Sequence, residues 1–239
     1  RDVDLDVAAG ELVGVAGVEG NGQRELALAL AGLAPPTAGT IELDGVNLAR
    51  ATVAARRAAG LAHVPEDRHR HGLVLEASVA DNGAVGRLAE LRRGWLVDRR
   101  ARDLLAGRLI DQLDVRPANP ALPARALSGG NQQKLVVARE LDRPGVRLVL
   151  AAQPTRGVDL AAVARIHARL LAAADAGAGV LVISADLDEL LVLCDRIVVL
   201  HRGRLAGEVA GDELAAADVR VRLGGWMVGA RAQAQPEAS

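Results

Sequence analysis

Leu127-Ser128-Gly129-Gly130-Asn131-Gln132-Gln133-Lys134 runs straight into the apolar stretch Leu135 to Leu141, and the pattern predicts a helix that begins at the serine. A serine at that point caps the first turn by accepting from a backbone N–H. The two glycines strip the turn of side chains, so another molecule can come close to the backbone. The first N–H groups of a helix have no partner within it and carry the positive end of its dipole, which suits them to an anionic oxygen. Ser-Gly-Gly by itself favours the plainer reading, a capped helix with no further task.

Downstream, Val146 to Ala151 reads as a buried strand that ends in Ala152-Gln153-Pro154-Thr155-Arg156-Gly157-Val158-Asp159. A helix over 161–174 leads to a second buried strand, Val180 to Ser184, and then to Ala185-Asp186-Leu187-Asp188-Glu189. Those three carboxylates invite a metal cluster, but acidic residues that open a helix complement its dipole, and that reading is preferred. Arg196 to Leu200 and Leu205 to Val209, joined through Arg202-Gly203, read as a hairpin that closes the sheet. A last helical stretch reaches about Met227, and 228–239 reads as a flexible polar tail.

Upstream, Glu11 to Ala16 reads as a buried strand, followed by Gly17-Val18-Glu19-Gly20-Asn21-Gly22-Gln23-Arg24 and a helical run from Glu25 to Leu33. Strand, glycine loop, helix is the setting of a phosphate-binding loop. The spacing of Gly17 and Gly22 fits G-x-x-x-x-G, yet the next two residues are Gln23 and Arg24 where lysine and a hydroxyl residue belong. Gln23 brings no cation to the phosphates and Arg24 no hydroxyl to Mg²⁺, while Glu19 adds a negative charge. The dinucleotide fingerprint fails as well, because Glu25 stands where its third glycine is required. A structural glycine turn and a phosphate loop stripped of its chemistry both remain open on these residues alone.

Pro35-Pro36-Thr37-Ala38-Gly39 breaks the helix, and Thr40 to Leu43 with Asp44-Gly45 reads as a short strand and turn. Leu61 to Val64 is a further strand, ending in Pro65-Glu66-Asp67-Arg68-His69-Arg70-His71-Gly72. His63, His69 and His71 beside two carboxylates raise a metal site, but Arg68 and Arg70 are interleaved with them and would repel a cation. From about 74 to 126 the periodicity is helical and charge-rich, and those charges read as a solvated face. Asn119, Pro120 and Pro123 form a linker into the opening octet.

The chain of 239 residues is half hydrophobic, enough for one large core. A formal net charge of −1 offers no basic face, which argues against nucleic acid. The single Cys194 cannot close an internal disulfide and suits a reducing compartment. No apolar run approaches the roughly 18 residues of a membrane span. Val3, Leu5 and Val7 alternate as a strand would, and the opening at Arg1 without Met reads as a fragment of a longer chain.

LSGGNQQK resembles the signature motif of ATP-binding cassette (ABC) ATPases, in the spelling of the second cassette of simple-sugar and nucleoside importers. VPEDRHRHGL and AAQPTRGVD resemble the same group, the latter its nucleoside-importing members. The resemblance covers nearly the whole chain in order: phosphate loop, EDR loop, helical insert, signature, PT-x-G-x-D strand end and switch strand. It implies an α/β P-loop cassette with a helical subdomain inserted in the core: a single nucleotide-binding domain over 1–239, with core at 1–72 and 135–210 and the subdomain at about 73–134.

The resemblance also implies roles. An active cassette carries Asp and Glu at the strand end, where this chain has Ala152 and Gln153; glutamine in the loop, where it has Glu66; and a switch histidine, where it has Ala185. The aromatic that stacks on adenine would lie ahead of the phosphate loop, in a segment the chain lacks. Gly17, Gly20, Asn21, Gly22, Gln23 and Arg24 would then form a degenerate loop for ATP. Leu127, Ser128, Gly129, Gly130, Asn131 and Gln132 would face ATP on a companion cassette, which holds the Mg²⁺, and Asp159 would touch that companion. Transmembrane permease subunits, and indirectly a substrate-binding protein, are the implied partners. The implied place is the cytoplasmic face of the inner membrane, as a peripheral subunit. A nucleotide-free scaffold and an independent P-loop hydrolase are the rival readings. The intact signature argues against the first, and the missing carboxylates argue against the second.

Overall fold

The computed structural model describes residues 3–230. Its centre is a sheet of six strands whose order in chain numbering is β10-β9-β1-β8-β7-β4. The strands are β1 (Leu12–Ala16), β4 (Leu61–Val64), β7 (Leu148–Ala152), β8 (Gly179–Ser184), β9 (Arg196–His201) and β10 (Arg204–Ala210). All neighbours are parallel except β10, which returns antiparallel along β9 as the expected hairpin. β1 and β8 are buried along their whole length, as befits parallel strands covered on both faces.

Alternation along the strands divides the core. Val13, Val15, Leu150, Ala152, Leu181 and Ile183 face one side, where they meet α1 (Gln23–Ala31). Leu12, Ala16, Val149, Ala151, Val180 and Val182 face the other, following the period of two that sends successive side chains to opposite faces. That second side carries α6 (Gly129–Leu141), α7 (Leu160–Asp175), α8 (Leu187–Leu193) and α9 (Val219–Met227). Gly14 is needed there, since a Cβ would lie 3.0 Å from Cys194 Sγ and 3.1 Å from Leu190. Burial first, and then Glu189 and Asp195, push the Cys194 thiol up to about 12, so it behaves as a small core residue.

Val3, Leu5 and Val7 correct the expected strand. They alternate in burial and pack on the α1 side of the sheet, yet the segment is extended without a ladder partner. The span 74–126 also departs from all-helical. Between α4 (Val79–Ala84) and α5 (Arg99–Leu113) it forms a hairpin of β5 (Arg92–Arg93) and β6 (Leu96–Val97). A second small hairpin pairs β2 (Glu42–Leu43) with β3 (Val46–Asn47), turning at Asp44-Gly45 as expected. The chain between them holds α2 (Val53–Ala58) and the single turn α3 (Arg68–His71). Of the expected tail, 231–239 lie outside the described residues; Ala230 N–H closes the end of α9 by donating to Gly225 O at 2.9 Å. No helix among the described residues is long and apolar enough to cross a membrane.

Where α6 meets β4, Glu140 is fully buried and accepts from Arg57 at 2.8 Å and Arg139 at 2.9 Å, with Arg143 at 3.8 Å. Burial alone would raise the Glu140 carboxyl, but Arg139 and Arg57 outweigh it and hold it below the usual range. Glu140→Ala leaves these guanidinium groups facing an uncompensated cavity and should cost about 3–5 kcal/mol in urea unfolding. Next to this group, burial pushes His63 down to about 4 despite the pull of Glu140. Its folded value is below its unfolded one, so its stabilisation is complete above about pH 6.5 and is lost as the pH falls toward 4. A pH series of unfolding curves should show about 2–3 kcal/mol lost over that window, and His63→Leu should flatten the slope.

Candidate functional site

Parallel register brings the expected site residues to one edge. Ala16 pairs with Ser184, Ala152 with Ile183 and Val64 with Ala151. Gly17, Gln153, Ala185 and Glu66 therefore all follow the carboxyl ends of adjacent strands, the crevice where open α/β sheets bind ligands.

The loop 17–24 has the shape of a phosphate cradle. Gly20 and Gly22 take positive φ of 89° and 106°, and Gly22 opens α1 with no side-chain cap, so the first N–H groups of the helix are left for another acceptor. Its side chains are engaged within the fold. The Gln23 amide folds back over Gly17 and donates to Val18 O at 3.1 Å; it bridges the neck of the loop and supplies no charge. Arg24 is exposed on the first turn of α1. Asn21 is buried: Nδ2 donates to Met227 O at 3.0 Å and Oδ1 accepts from Arg202 N–H at 3.1 Å. The loop is thereby fastened to α9 and the β9–β10 turn, a link across 206 positions that local sequence does not signal.

Ala152 is buried and offers no ligand. Gln153 sits at φ 49°, a left-handed conformation uncommon for a side chain of this kind, and its N–H donates to Ile183 O at 2.8 Å. Glu66 pairs with Arg156 at 3.1 Å. Ala185 is exposed. Asp186 caps α8 by accepting from Asp188 and Glu189 N–H, and Asp188 pairs with Arg220. Glu189 is buried and binds the site together, accepting from Thr155 Oγ1 at 2.7 Å and Ser184 Oγ at 2.6 Å, with His167 Nε2 at 3.3 Å. Reading it as a dipole partner missed this network; its amphipathic position, facing inward from a short helix, is the signal that was there. With no carboxylate at 152 or 153 and no lysine at 23, this half of the crevice does not fit Mg²⁺ with a triphosphate.

The opening octet behaves differently. Ser128 caps α6 and is exposed. Its Oγ accepts from Asn131 Nδ2 at 2.9 Å and from Asn131 N–H at 3.4 Å. With both acceptor positions taken, what remains to the hydroxyl is donation of its proton. Asn131 is itself held, its Oδ1 accepting from Arg116 N–H at 2.8 Å. Leu127 is buried beneath the turn. Gly130 lies where a Cβ would be 3.1 Å from Gly157 O. A half-exposed, side-chain-free helix start at Gly129-Gly130 beside the exposed Ser128 hydroxyl is an arrangement of the kind that takes an anionic oxygen.

Two glutamines and a lysine tie this turn to its surroundings. Gln132 donates to Ala124 O and Leu127 O, both at 3.2 Å. Gln133 donates to Pro154 O at 3.0 Å. Lys134 pairs with Asp159 at 3.2 Å. Asp159 also caps α7, and the Ala162 N–H and then Lys134 hold its carboxyl below the usual range. Polar residues buried in an otherwise apolar run are the sequence trace of such links.

The profile of the ABC transporter family matches residues 1–154. The chain is 42% identical over 231 residues to the nucleoside import ATP-binding protein NupA of Lactococcus lactis, covering 96% of this chain and 45% of that protein. It is 40% identical to the guanosine import ATP-binding protein NupO of Bacillus subtilis (94% and 44%), and 42% identical to the ribose import ATP-binding protein RbsA 2 of Streptomyces coelicolor (89% and 41%). The chain thus spans less than half the length of these relatives. In fold it matches the dimeric ATP-binding cassette MJ0796 bound to ADP and Pi, with a TM-score of 0.76, 22% identity and 88% and 89% of the two chains covered. It also matches the ADP conformation of the cassette MJ1267, with a TM-score of 0.75, 18% identity and coverage of 95% and 91%. The chain belongs to the ABC transporter family, as an ATP-binding cassette of the P-loop fold.

Proposed function

We propose that this cassette is one half of the ATPase of an importer for nucleosides or simple sugars. On this reading it lends its signature turn to ATP held by a companion cassette, while its own half-site is silent. The observation that carries the reading is the contrast between two halves of one chain. At the signature, Ser128 is left as a donor above a bare helix N-terminus. Around the strand ends, Gln23, Ala152, Gln153 and Ala185 bring no cation, metal ligand or general base. The relatives are named for import of nucleosides, guanosine and ribose, and each is long enough to hold a second cassette.

In this scheme ATP, with Mg²⁺ held by the companion, supplies the energy for closing the pair. The companion also provides the lysine, the metal carboxylate and the base. This chain's own residues orient and stabilise. The Ser128 hydroxyl and the first N–H groups of α6 donate toward phosphate oxygens, adding fixed positive potential where negative charge concentrates. Asn131 keeps the serine turned so that its proton faces outward. Asp159, exposed beside Lys134, is the contact to the companion.

Loop 66–72 faces permease subunits, and a substrate-binding protein acts through them. The hairpin and the chain just after α4 add Val85, Leu88, Trp95, Leu96 and Val97, all exposed, apolar residues of the kind that a partner covers. The protein then works as a peripheral subunit on the cytoplasmic face of the membrane.

Ser128→Arg in the assembled transporter should reduce ATP hydrolysis by about 10²-fold or more, the scale of losing a positioned donor and blocking the turn; wild-type turnover would refute the signature role. The chain by itself should show no Mg²⁺-dependent ATPase above background. A robust rate that disappears on Gln153→Ala would overturn the silent half-site.

A further inference from the structure

We infer that Gln132 is a positioning residue that couples the permease-facing loop to the signature turn, with Arg68 and His69 as its grip on that loop. The inference rests on the reading of Ser128 as the phosphate-facing donor.

Gln132 is buried, and its one amide joins two segments distant in sequence. Its oxygen accepts from His69 Nε2 at 2.8 Å and from Arg68 Nε at 3.4 Å. Its nitrogen donates to Ala124 O and Leu127 O, the carbonyls of the short turn that delivers the chain to Ser128. The same side chain therefore holds α3 at one end and the approach to the signature at the other. A planar amide with both ends engaged transmits displacement, because neither bond survives a shift of one side alone.

Arg68 is in place through a second contact. A Cβ on Gly129 would lie 2.6 Å from Arg68 Nη2, so the guanidinium rests against the first residue of α6, and glycine is what admits it. Asp67 fixes the presentation of α3: its Oδ1 accepts from His69 and Arg70 N–H, both at 3.1 Å. From the other side Glu66 of the same loop pairs with Arg156, whose neighbour Gly157 packs on Gly130. The loop thus touches the signature turn directly through Arg68 and His69, and indirectly through Arg156. A permease that moves loop 66–72 would move the direction in which Ser128 points.

A merely structural amide would give a different set of results in the assembled transporter, with Mg²⁺ and ATP as the only added ligands. Gln132→Ala should lower kcat for ATP hydrolysis by about tenfold, the scale of a misoriented donor, and leave the KM for ATP within about twofold, since ATP is held by the companion. The isosteric Gln132→Glu keeps the grip on Arg68 and His69 but repels the Ala124 and Leu127 carbonyls, and should lose kcat similarly without a cavity. Arg68→Ala with His69→Ala should reproduce the kcat loss, and adding Gln132→Ala to that pair should cost nothing more, as members of one linkage are non-additive. Full kcat in both Gln132 variants, or strictly additive losses, would overturn the coupling. Ser128→Arg run alongside separates the two ideas: if it abolishes hydrolysis while the Gln132 variants are unaffected, only the coupling falls. If Ser128→Arg is active, the signature reading falls and takes the coupling with it.

Discussion

Everything at the candidate site depends on four parallel strands held in register. Because β1, β8, β7 and β4 run the same way and pair residue for residue, their ends form a single line. Four loops with no sequence relation to one another must then emerge side by side. Parallel pairing demands that each connection cross over a face of the sheet, and α1, α6 and α7 are placed by that demand. The crevice is a by-product of strand direction before any side chain is chosen.

On that frame two positions at the sheet edge carry amides that serve the local backbone. Gln23 spans the neck of its loop through Val18 O, and Gln153 retains the backbone turn that follows β7. Both are amides, able to satisfy local hydrogen bonds and unable to attract a metal or move a proton at neutral pH. Asn21 goes further and turns the loop into a fastening for the C-terminal helix. The turn at Ser128 is held as firmly, by Gln132, Gln133 and the Lys134–Asp159 pair, with the serine exposed.

Much of this was legible in the residues, and the divide has a physical basis. β1, β8 and β9 announce themselves because a short, nearly continuous apolar run has one comfortable environment, the middle of a covered sheet. Ser128 was legible because a cap is decided within three residues. Val3, Leu5 and Val7 carried the right alternation and still make no ladder, since pairing needs a neighbouring edge that no local pattern reports. The hairpin at Arg92 to Val97 was hidden under charged residues that look helical. Gln132 and Glu189 were the hardest: their partners, His69 and Thr155, lie 63 and 34 positions away, and only the packed molecule says which buried polar group meets which.

The two tryptophans occupy opposite extremes, and this gives the molecule an optical property. Trp95, at the tip of the β5–β6 hairpin, is 87% exposed, whereas Trp226, in α9 next to the residue that holds Asn21, is 9% exposed. With no tyrosine or phenylalanine in the chain, near-ultraviolet emission arises from these two indoles alone: one bathed in water and open to collisional quenchers, the other in an apolar setting beneath Arg222. The protein therefore comes with two native fluorophores of separable colour. One watches the outer hairpin and the other watches the helix that secures the glycine loop.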